Sequence, residues 1–290
     1  MGWYERMNAA IDYIESNLYN NINLNEAAKI VGQSTVNFQR TFSAVTDTSI
    51  FEYIRRRRLT LAAFDMQNTS DKVIDVASRY RYESPEAFTR AFKEVHGVSP
   101  TNARKQGLVL KAYPRITFLL SIKGDKAMEY RVENKEAFSV YGIEEIFTAE
   151  DDKMLKDIPA FWKECWESGK CTSLLKSTND PTSGIHAVCG YRETGGNTFP
   201  YMIFTHCTKD CDTKGFTQIE IPAATWAIFK SENHNVEQTS LVIQNLIKRI
   251  YTDWLPSSSY KKIDGYELEL TFCIGDNMFY SETWVRVENI

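Results

Sequence analysis

Apolar residues recur at helical spacing through the first hundred residues and at alternating spacing through much of the rest. In the first part, Phe88 and Phe92 lie on one face of a predicted helix that Ser84 caps and Pro85 opens. A shorter apolar pattern at 73–77 precedes this helix across a turn. A short helix, a turn and a second helix with a polar outer face are typical of a helix-turn-helix.

The same unit occurs twice, fifty residues apart. The stretch STVNFQRTFSAVTDTSI aligns with SPEAFTRAFKEVHGVSP, and the identities fall at the cap, at two core aromatics and at one outward Arg. The matched pairs are Ser34 and Ser84, Phe38 and Phe88, Arg40 and Arg90, Phe42 and Phe92, Val45 and Val95, and Ser49 and Ser99. The repeat predicts two copies of one supersecondary unit, joined by a long helix over 50–66 that Ser49 caps.

This repeat resembles the tandem helix-turn-helix DNA-binding domain of the AraC/XylS family of bacterial transcription regulators. The motifs that carry the resemblance are Ala28-x3-Gly32-x-Ser34-x3-Phe38-x-Arg40-x-Phe42 and Ser84-x3-Phe88-x-Arg90-x-Phe92-Lys93-x3-Gly97-x-Ser99-Pro100. The resemblance implies an all-α domain over residues 1–107 that binds double-stranded promoter DNA. The second helix of each unit is then expected to lie in the major groove.

The resemblance also places outward side chains of these two recognition helices on DNA. The candidate DNA-binding residues are Thr35, Val36, Gln39 and Arg40 in the first unit, Glu86, Thr89, Arg90 and Lys93 in the second, and Arg55 in the connecting helix. Gln suits adenine and Arg suits guanine, and each good bidentate pair contributes roughly 1–3 kcal/mol of discrimination. The alternative is that these residues are only a solvated helix face.

Two residues depart from the family pattern, and one Arg of the connecting helix is expected to be structural. Arg81 and Asp47 stand where glycine is usual, and a non-glycine residue in a left-handed turn costs about 1 kcal/mol. Arg58 lies on the apolar stripe of the long helix, so we expect it to pair with a carboxylate.

The formal net charge of −4 would by itself argue against a DNA-binding protein. However, residues 1–110 contain 14 Lys and Arg against 12 Asp and Glu, whereas the remainder contains 20 against 26. The excess acid therefore belongs to the second part of the chain, and the first part keeps basic residues that can contact phosphates.

Beyond residue 107 the apolar pattern changes to the period of strands. Strands are predicted at 116–122, 127–133, 138–147, 185–192, 201–209, 216–222, 225–231, 266–274 and 282–288, with helices at 154–166 and 241–254. Because the order strand, helix, strands occurs twice, we expect residues 108–290 to form an α+β domain of two similar halves. The chain as a whole is therefore predicted to be multidomain.

This second part resembles the GyrI-like effector-binding domain. The resemblance rests on FTQIEIPAATWAIF, on a helix ending in TDWLPSSSY, on YELEL and on the final WVRVEN. It implies a groove lined by aromatics and centred on a Glu, which binds small apolar or cationic effectors. The candidate ligand-binding residues are Glu269, Trp226, Trp162 and Tyr191, with the choice between Glu269 and Glu267 left open.

Together, the two parts predict a sequence-specific DNA-binding transcription regulator that is not an enzyme and needs no cofactor. One alternative is that the GyrI-like domain hydrolyses small electrophiles with a Glu and a Tyr of the groove; another is that it only stabilises the chain or binds a partner. The expected partners are promoter DNA, a small-molecule effector and RNA polymerase, with a monomer or weak dimer as the oligomeric state.

All six cysteines lie in the second part, and Cys207-x3-Cys211 is the one spacing that suggests a metal. No second close pair completes a tetrahedral site, so no metal site is predicted. With no signal-like start and no apolar run near twenty residues, we expect a cytoplasmic protein without a membrane partner.

Overall fold

The structure is a computed structural model that describes residues 2–105, 107–119, 127–149, 153–180, 182–195 and 197–289. It divides into two compact units. The first contains residues 1–35 and 48–119, and the second contains residues 36–47 and 120–290.

The first part of the chain is helical, as the pattern predicts. Its helices are α1 (Trp3–Ser16), α2 (Leu24–Val31), α3 (Thr35–Thr46), α4 (Ile50–Asn68), α5 (Val73–Arg79), α6 (Pro85–His96) and α7 (Pro100–Ala103). The side chains of Asn23, Ser49 and Ser84 each accept a hydrogen bond from a backbone N–H of the first turn of α2, α4 and α6. These helix starts are therefore fixed by local capping, as expected from the sequence for Ser49 and Ser84.

All of α3 except its first residue, Thr35, belongs to the second compact unit, although the helix lies between helices of the first in sequence. The compact units also part between residues 119 and 120. The boundary between residues 107 and 108 remains a prediction about the two domains.

Two consecutive Arg residues of α4 have different partners within the first unit. Arg57 forms a half-buried ion pair with Glu15, with Nη2 and Oε2 2.8 Å apart. Arg58 instead donates to the backbone carbonyls of Leu18 and Asn20. The expectation that Arg58 is structural is met, but the prediction that it pairs with a carboxylate is wrong. Successive side chains of a helix point 100° apart, and it is Arg57, not Arg58, that points toward Glu15.

The two positions that depart from the family pattern both have left-handed backbone. Arg81 has φ 68° and Asp47 has φ 55°, while Gly97, the counterpart of Asp47 in the second repeat, has φ 77°. The chain therefore keeps both turns without glycine.

The second part contains nine strands among its described residues. They are β1 (Tyr130–Lys135), β2 (Phe138–Thr148), β3 (His186–Cys189), β4 (Thr198–His206), β5 (Thr217–Ile221), β6 (Ala224–Lys230), β7 (His234–Asn235), β8 (Tyr260–Gly275) and β9 (Met278–Asn289). The helices are α8 (Lys153–Glu167), α9 (Lys170–Ser177) and α10 (Thr239–Arg249), which continues through a π-helical turn at Ile250–Trp254.

Two sequence predictions need correction here. Residues 116–119 do not form the predicted strand, and 120–122 of that prediction lie outside the described residues. The helix α9 and the short strand β7 were not predicted, since eight and two residues give little periodic signal. No described helix is both long and apolar enough to cross a membrane.

The strands form one antiparallel sheet in the order β1-β6-β9-β8-β3-β4-β2-β5, with β7 paired to β9. The two halves of this order mirror each other, with β8 and β3 meeting at the centre and β1 and β5 at the edges. This arrangement confirms the predicted duplicated α+β fold.

The two faces of the sheet have separate apolar clusters. On one face, Trp226, Leu268 and Leu270 are buried in the same cluster. On the other, Tyr201 and Cys189 pack in a cluster with residues of α8 and α9. The helical side of the sheet is the one that contains the cavity described below.

Candidate functional site

The helix α6 presents its predicted DNA-reading face to solvent. Its apolar side chains are buried in the core of the first unit. Glu86, Arg90 and Lys93 are exposed, and Thr89 is half-buried. The outward position of these predicted contacts follows directly from the helical spacing of the core residues.

The equivalent face of α3 is covered. Gln39 is fully buried and donates from Nε2 to Oδ1 of Asn197, 3.0 Å away. Val36 packs against the apolar cluster on the helical side of the sheet. Thr35, at the start of the helix, is half-buried, with its hydroxyl 3.5 Å from Oδ1 of Asn25.

Arg40 projects from α3 to the central strands of the sheet. Its Nη2 lies 2.7 Å from Oε2 of Glu267 and 2.8 Å from Sγ of Cys189. The guanidinium also lies over the ring of Phe199, 4.9 Å from the ring centre. At the end of α3, Asp47 forms an exposed ion pair with Lys248 of α10.

The strand β8 places two carboxylates on the same face of the sheet. Glu267 and Glu269 are two residues apart, so both point to the helical side, while Leu268 and Leu270 point into the opposite cluster. The question left open by the sequence is thereby answered, because both Glu residues line the cavity.

Glu267 is held in its charged form by several partners. Its Oε1 lies 2.7 Å from Nζ of Lys262 and accepts from the hydroxyl of Tyr251 at 3.0 Å, while its Oε2 pairs with Arg40. Burial would raise the pKa of this carboxyl, but Lys262 and Arg40 outweigh it and lower the pKa to about 2.

Glu269 has a contrasting environment. Burial and the charge of Glu267 together raise the pKa of this carboxyl to about 7, against the opposing effect of Arg40. The hydroxyl of Tyr201 lies 3.5 Å from its Oε2 and accepts a hydrogen bond from Nε1 of Trp162 at 2.8 Å. Glu269 is therefore a buried carboxyl that titrates near neutral pH.

These groups lie in a cavity of about 900 Å³ within the second unit. The cavity is bordered by the central strands and by residues of α3, α8 and α10. Its aromatic lining consists of Trp162, Trp166, Phe199, Tyr201, Tyr251 and Phe279. An apolar, aromatic cavity with a few convergent polar groups is typical of a small-molecule site.

Two of the four predicted ligand-binding residues line this cavity, namely Glu269 and Trp162. Trp226 is buried in the cluster on the opposite face of the sheet. Tyr191 lies in that same cluster and donates to Glu144, because the chain turns at Gly190, whose φ is 68°. The prediction that Trp226 and Tyr191 lie with Glu269 is corrected accordingly.

Sequence reasoning missed several residues of the cavity, above all Tyr201 and Tyr251, and considered Glu267 only as the alternative to Glu269. The alternation in YELEL contains the signal for Glu267. No local pattern distinguishes Tyr201 or Tyr251 from ordinary core aromatics.

Arg55, the predicted phosphate contact in α4, lies in an ion-pair network. It donates to both carboxylate oxygens of Glu52 and pairs with the exposed Glu94 at 3.3 Å.

The Sγ atoms of Cys207 and Cys211 lie 3.0 Å apart. Within the described ranges, no group of three or more His, Cys, Asp or Glu residues is arranged to hold a metal.

Comparisons with known proteins match both parts of the chain. Residues 131–285 match the family model described as "Integron-associated effector binding protein", and residues 27–106 match a helix-turn-helix domain. The chain is 38% identical over 89 residues to the HTH-type transcriptional activator AarP of Providencia stuartii. This match covers 31% of the present chain and 66% of AarP. The chain is 36% identical over 96 residues to the Tn10 TetD protein of Escherichia coli, covering 33% and 70%.

Other matches cover a smaller share of the known protein or show lower identity. The transcriptional regulator Rob of Salmonella typhimurium is 36% identical over 93 residues, which are 32% of each chain. The integron cassette protein of Vibrio cholerae is 12% identical with a TM-score of 0.40, covering 55% of this chain and 95% of that protein. The chain thus spans about two thirds of AarP and TetD and about a third of Rob.

The helix-turn-helix part and the sheet domain define a DNA-binding transcription regulator with an effector-binding domain. The chain belongs to the AraC/XylS family, and its second part belongs to the integron-associated, GyrI-like family of effector-binding domains.

The pKa of Glu269 gives a prediction about stability. Its pKa is raised on folding from 4.5 to about 7, so the folded state binds the proton more tightly and this stabilisation is lost as pH rises toward 7. Relative to Glu269→Gln, which cannot titrate, we expect the unfolding free energy of the wild type to fall by up to about 3 kcal/mol between pH 4.5 and 7. Urea denaturation across this range measures the difference.

The other charged or titratable groups around Glu269 do not ionise in this window. The pKa of Glu267 is about 2 and that of His186 about 3, while those of Cys189, Tyr201, Tyr251, Lys262 and Arg40 are raised. Parallel pH curves for the wild type and Glu269→Gln would show that Glu269 titrates normally.

Proposed function

We propose that the cavity of the second unit binds a bulky, lipophilic cation, and that this binding changes the affinity of the chain for promoter DNA. The observation that carries the proposal is the pair of buried carboxylates, Glu267 and Glu269, within an aromatic cavity of about 900 Å³. Aromatic ring faces attract cations and bury apolar area, while a desolvated carboxylate supplies the opposite charge.

The two carboxylates differ in how they serve this function. Glu267 stays charged through its ion pair with Lys262. Glu269 is largely protonated below neutral pH, so it gains its charge when a cation approaches. Binding a cation therefore favours release of the proton from Glu269, and the affinity for the cation rises with pH through about 7.

A matched pair of probes tests the chemical class of the effector. Tetraphenylphosphonium and tetraphenylborate have the same shape and opposite charge. We expect calorimetry to show binding of the phosphonium only, with an affinity that increases up to about tenfold from pH 6 to pH 8, since Glu269, with a pKa of about 7, must lose its proton when the cation binds.

Glu269→Gln should remove most of this pH dependence and weaken phosphonium binding, because the carboxylate charge is lost. Glu288→Gln is a suitable control, since Glu288 is an exposed carboxylate paired with Lys261. Equal binding of the two probes by the wild type would contradict a cation site.

The DNA-binding role is expected to depend on α6, whose outward face is exposed. Arg90→Ala should weaken binding to a duplex selected by the wild-type chain from a randomised library by roughly 1–3 kcal/mol, and relax its base preference at one position. Lys261→Ala is the control, since it removes an exposed positive charge from the second unit. Unchanged affinity and footprint for Arg90→Ala would remove α6 from the DNA interface.

We keep hydrolysis as a second candidate because Glu269 and Tyr201 are neighbours in the cavity. A carboxyl with a pKa of about 7 is suited to act as a general base. The regulator function predicts that the full chain hydrolyses an activated ester or an epoxide no faster than Glu269→Gln does. Turnover that is present in the wild type and lost in Glu269→Gln would establish an enzyme instead.

A further inference from the structure

The two recognition helices differ in what their equivalent residues contact. Arg90 of α6 is exposed, whereas Arg40, its counterpart in the repeat, is half-buried and lines the cavity of the second unit. Gln39 is likewise fully buried, while its counterpart Thr89 is half-buried. The face of α3 that is predicted to read DNA is therefore the face that packs on the sheet domain.

The charges in the cavity show what Arg40 does there. At the carboxylate site, Glu267 and Glu269 bring two potential negative charges, while Arg40 and Lys262, the ion-pair partners of Glu267, bring two positive ones. Two other charged lining residues, Asp47 and Lys163, have opposite signs and cancel in the count. With Arg40 in place the group has no net negative charge to attract a cation. With Arg40 removed and Glu269 ionised, one net negative charge remains, which matches a monovalent cation.

The surroundings of Arg40 are also those that a cationic effector needs. The guanidinium lies 2.7 Å from a carboxylate oxygen of Glu267 and 4.9 Å from the ring centre of Phe199. A planar cation that pairs with a buried carboxylate and covers an aromatic face is the kind of ligand that such a cavity recognises.

We propose that α3 is a tethered ligand of the effector cavity: Arg40 occupies the carboxylate site in the absence of effector, and a lipophilic cation displaces it and frees α3 to read DNA. The inference rests on the proposed function of the cavity and names how that site is regulated. Effector and docked helix exclude each other because both need the charge of Glu267. The same side chains of α3 cannot pack in the cavity and lie in the major groove at once.

The Arg40 ion pair is the contact most suited to control this docking. Arg40 and Glu267 are 15% and 13% exposed at their side chains, so the largely buried charge of Arg40 needs Glu267 for compensation, while Glu267 also has Lys262. The pair of Asp47 and Lys248 is exposed and contributes little. An effector shifts the equilibrium only through its different affinity for the two states, and loss of the Arg40 site in the docked state provides that difference.

The first test weakens docking from the side of the sheet and leaves the reading face of α3 intact. Glu267→Gln removes the charge that holds Arg40. In electrophoretic titrations without effector, we expect this variant of the full chain to bind the selected duplex about tenfold tighter than the wild type. Tetraphenylphosphonium should tighten DNA binding by the wild type and have little effect on Glu267→Gln.

Glu288→Gln is the control for a carboxylate removed from the second unit and should bind DNA as the wild type does. Ligand-free DNA affinity that is equal in the wild type and in a folded Glu267→Gln variant would overturn the tethered-ligand inference. Circular dichroism establishes whether the variant is folded.

A second measurement uses the wild-type chain and needs no variant. Amide hydrogen exchange of α3, read by mass spectrometry over peptides within residues 36–47, should accelerate when tetraphenylphosphonium binds in the absence of DNA. The exchange of α6 should stay unchanged. Phosphonium binding without any change in α3 would overturn the inference, also in the case that Glu267→Gln does not fold.

The outcomes separate this inference from the proposed function. If the phosphonium binds and changes DNA affinity but α3 exchange is unaltered, the tethered ligand is wrong and the effector function stands. If the phosphonium does not bind, the proposed effector class is wrong; tighter ligand-free DNA binding by Glu267→Gln would then still support docking of α3.

Discussion

The ion pair between Arg40 and Glu267 is the interaction on which the functional geometry of the second unit depends. Both side chains are largely buried, and a buried charge is costly unless it is paired. Glu267 pairs with two buried cations, Arg40 and Lys262, and their charges lower its pKa to about 2. Its fixed charge in turn helps to keep Glu269, two residues along the strand, protonated to about pH 7. One pair thus sets the position of α3 and the protonation of the cavity.

What the sequence could predict follows from how local each feature is. The helix α6 follows from Ser84, Pro85 and the spacing of its core aromatics, all within twelve residues. The shared face of Glu267 and Glu269 follows from strand alternation alone. Trp226 and Tyr191 lie in the cluster on the face of the sheet opposite the cavity. Which face each side chain points to depends on the register of whole strands and on the left-handed turn at Gly190, and apolar patterns do not reveal either.

The docking of α3 could not have been predicted from sequence for a different reason. Arg40 and Arg90 occupy the same position of the repeat and have the same local pattern, yet Arg40 lines the cavity and Arg90 is exposed. The difference arises from a partner 227 positions away in the chain. Local physics fixes which side of a recognition helix is polar, whereas the tertiary fold decides whether that side meets solvent, DNA or another part of the protein.

The cavity contains two charges that do not change with pH, on Arg40 and Glu267, and one group, Glu269, that titrates near pH 7. Burial lowers the pKa of Arg40, but the neighbouring Cys189 and Glu267 raise it more, so the guanidinium is charged at any pH at which the protein is folded. Glu267 is equally constant, since its pKa is about 2. The charges of both partners of the tether therefore do not change with pH. The group that does change is Glu269, whose ionisation near pH 7 adds the second negative charge. Arg40 lowers the pKa of Glu269, so the docked guanidinium gains from that ionisation, as does a cation that enters the cavity. Rising pH therefore strengthens the site for both competitors, Arg40 and the effector.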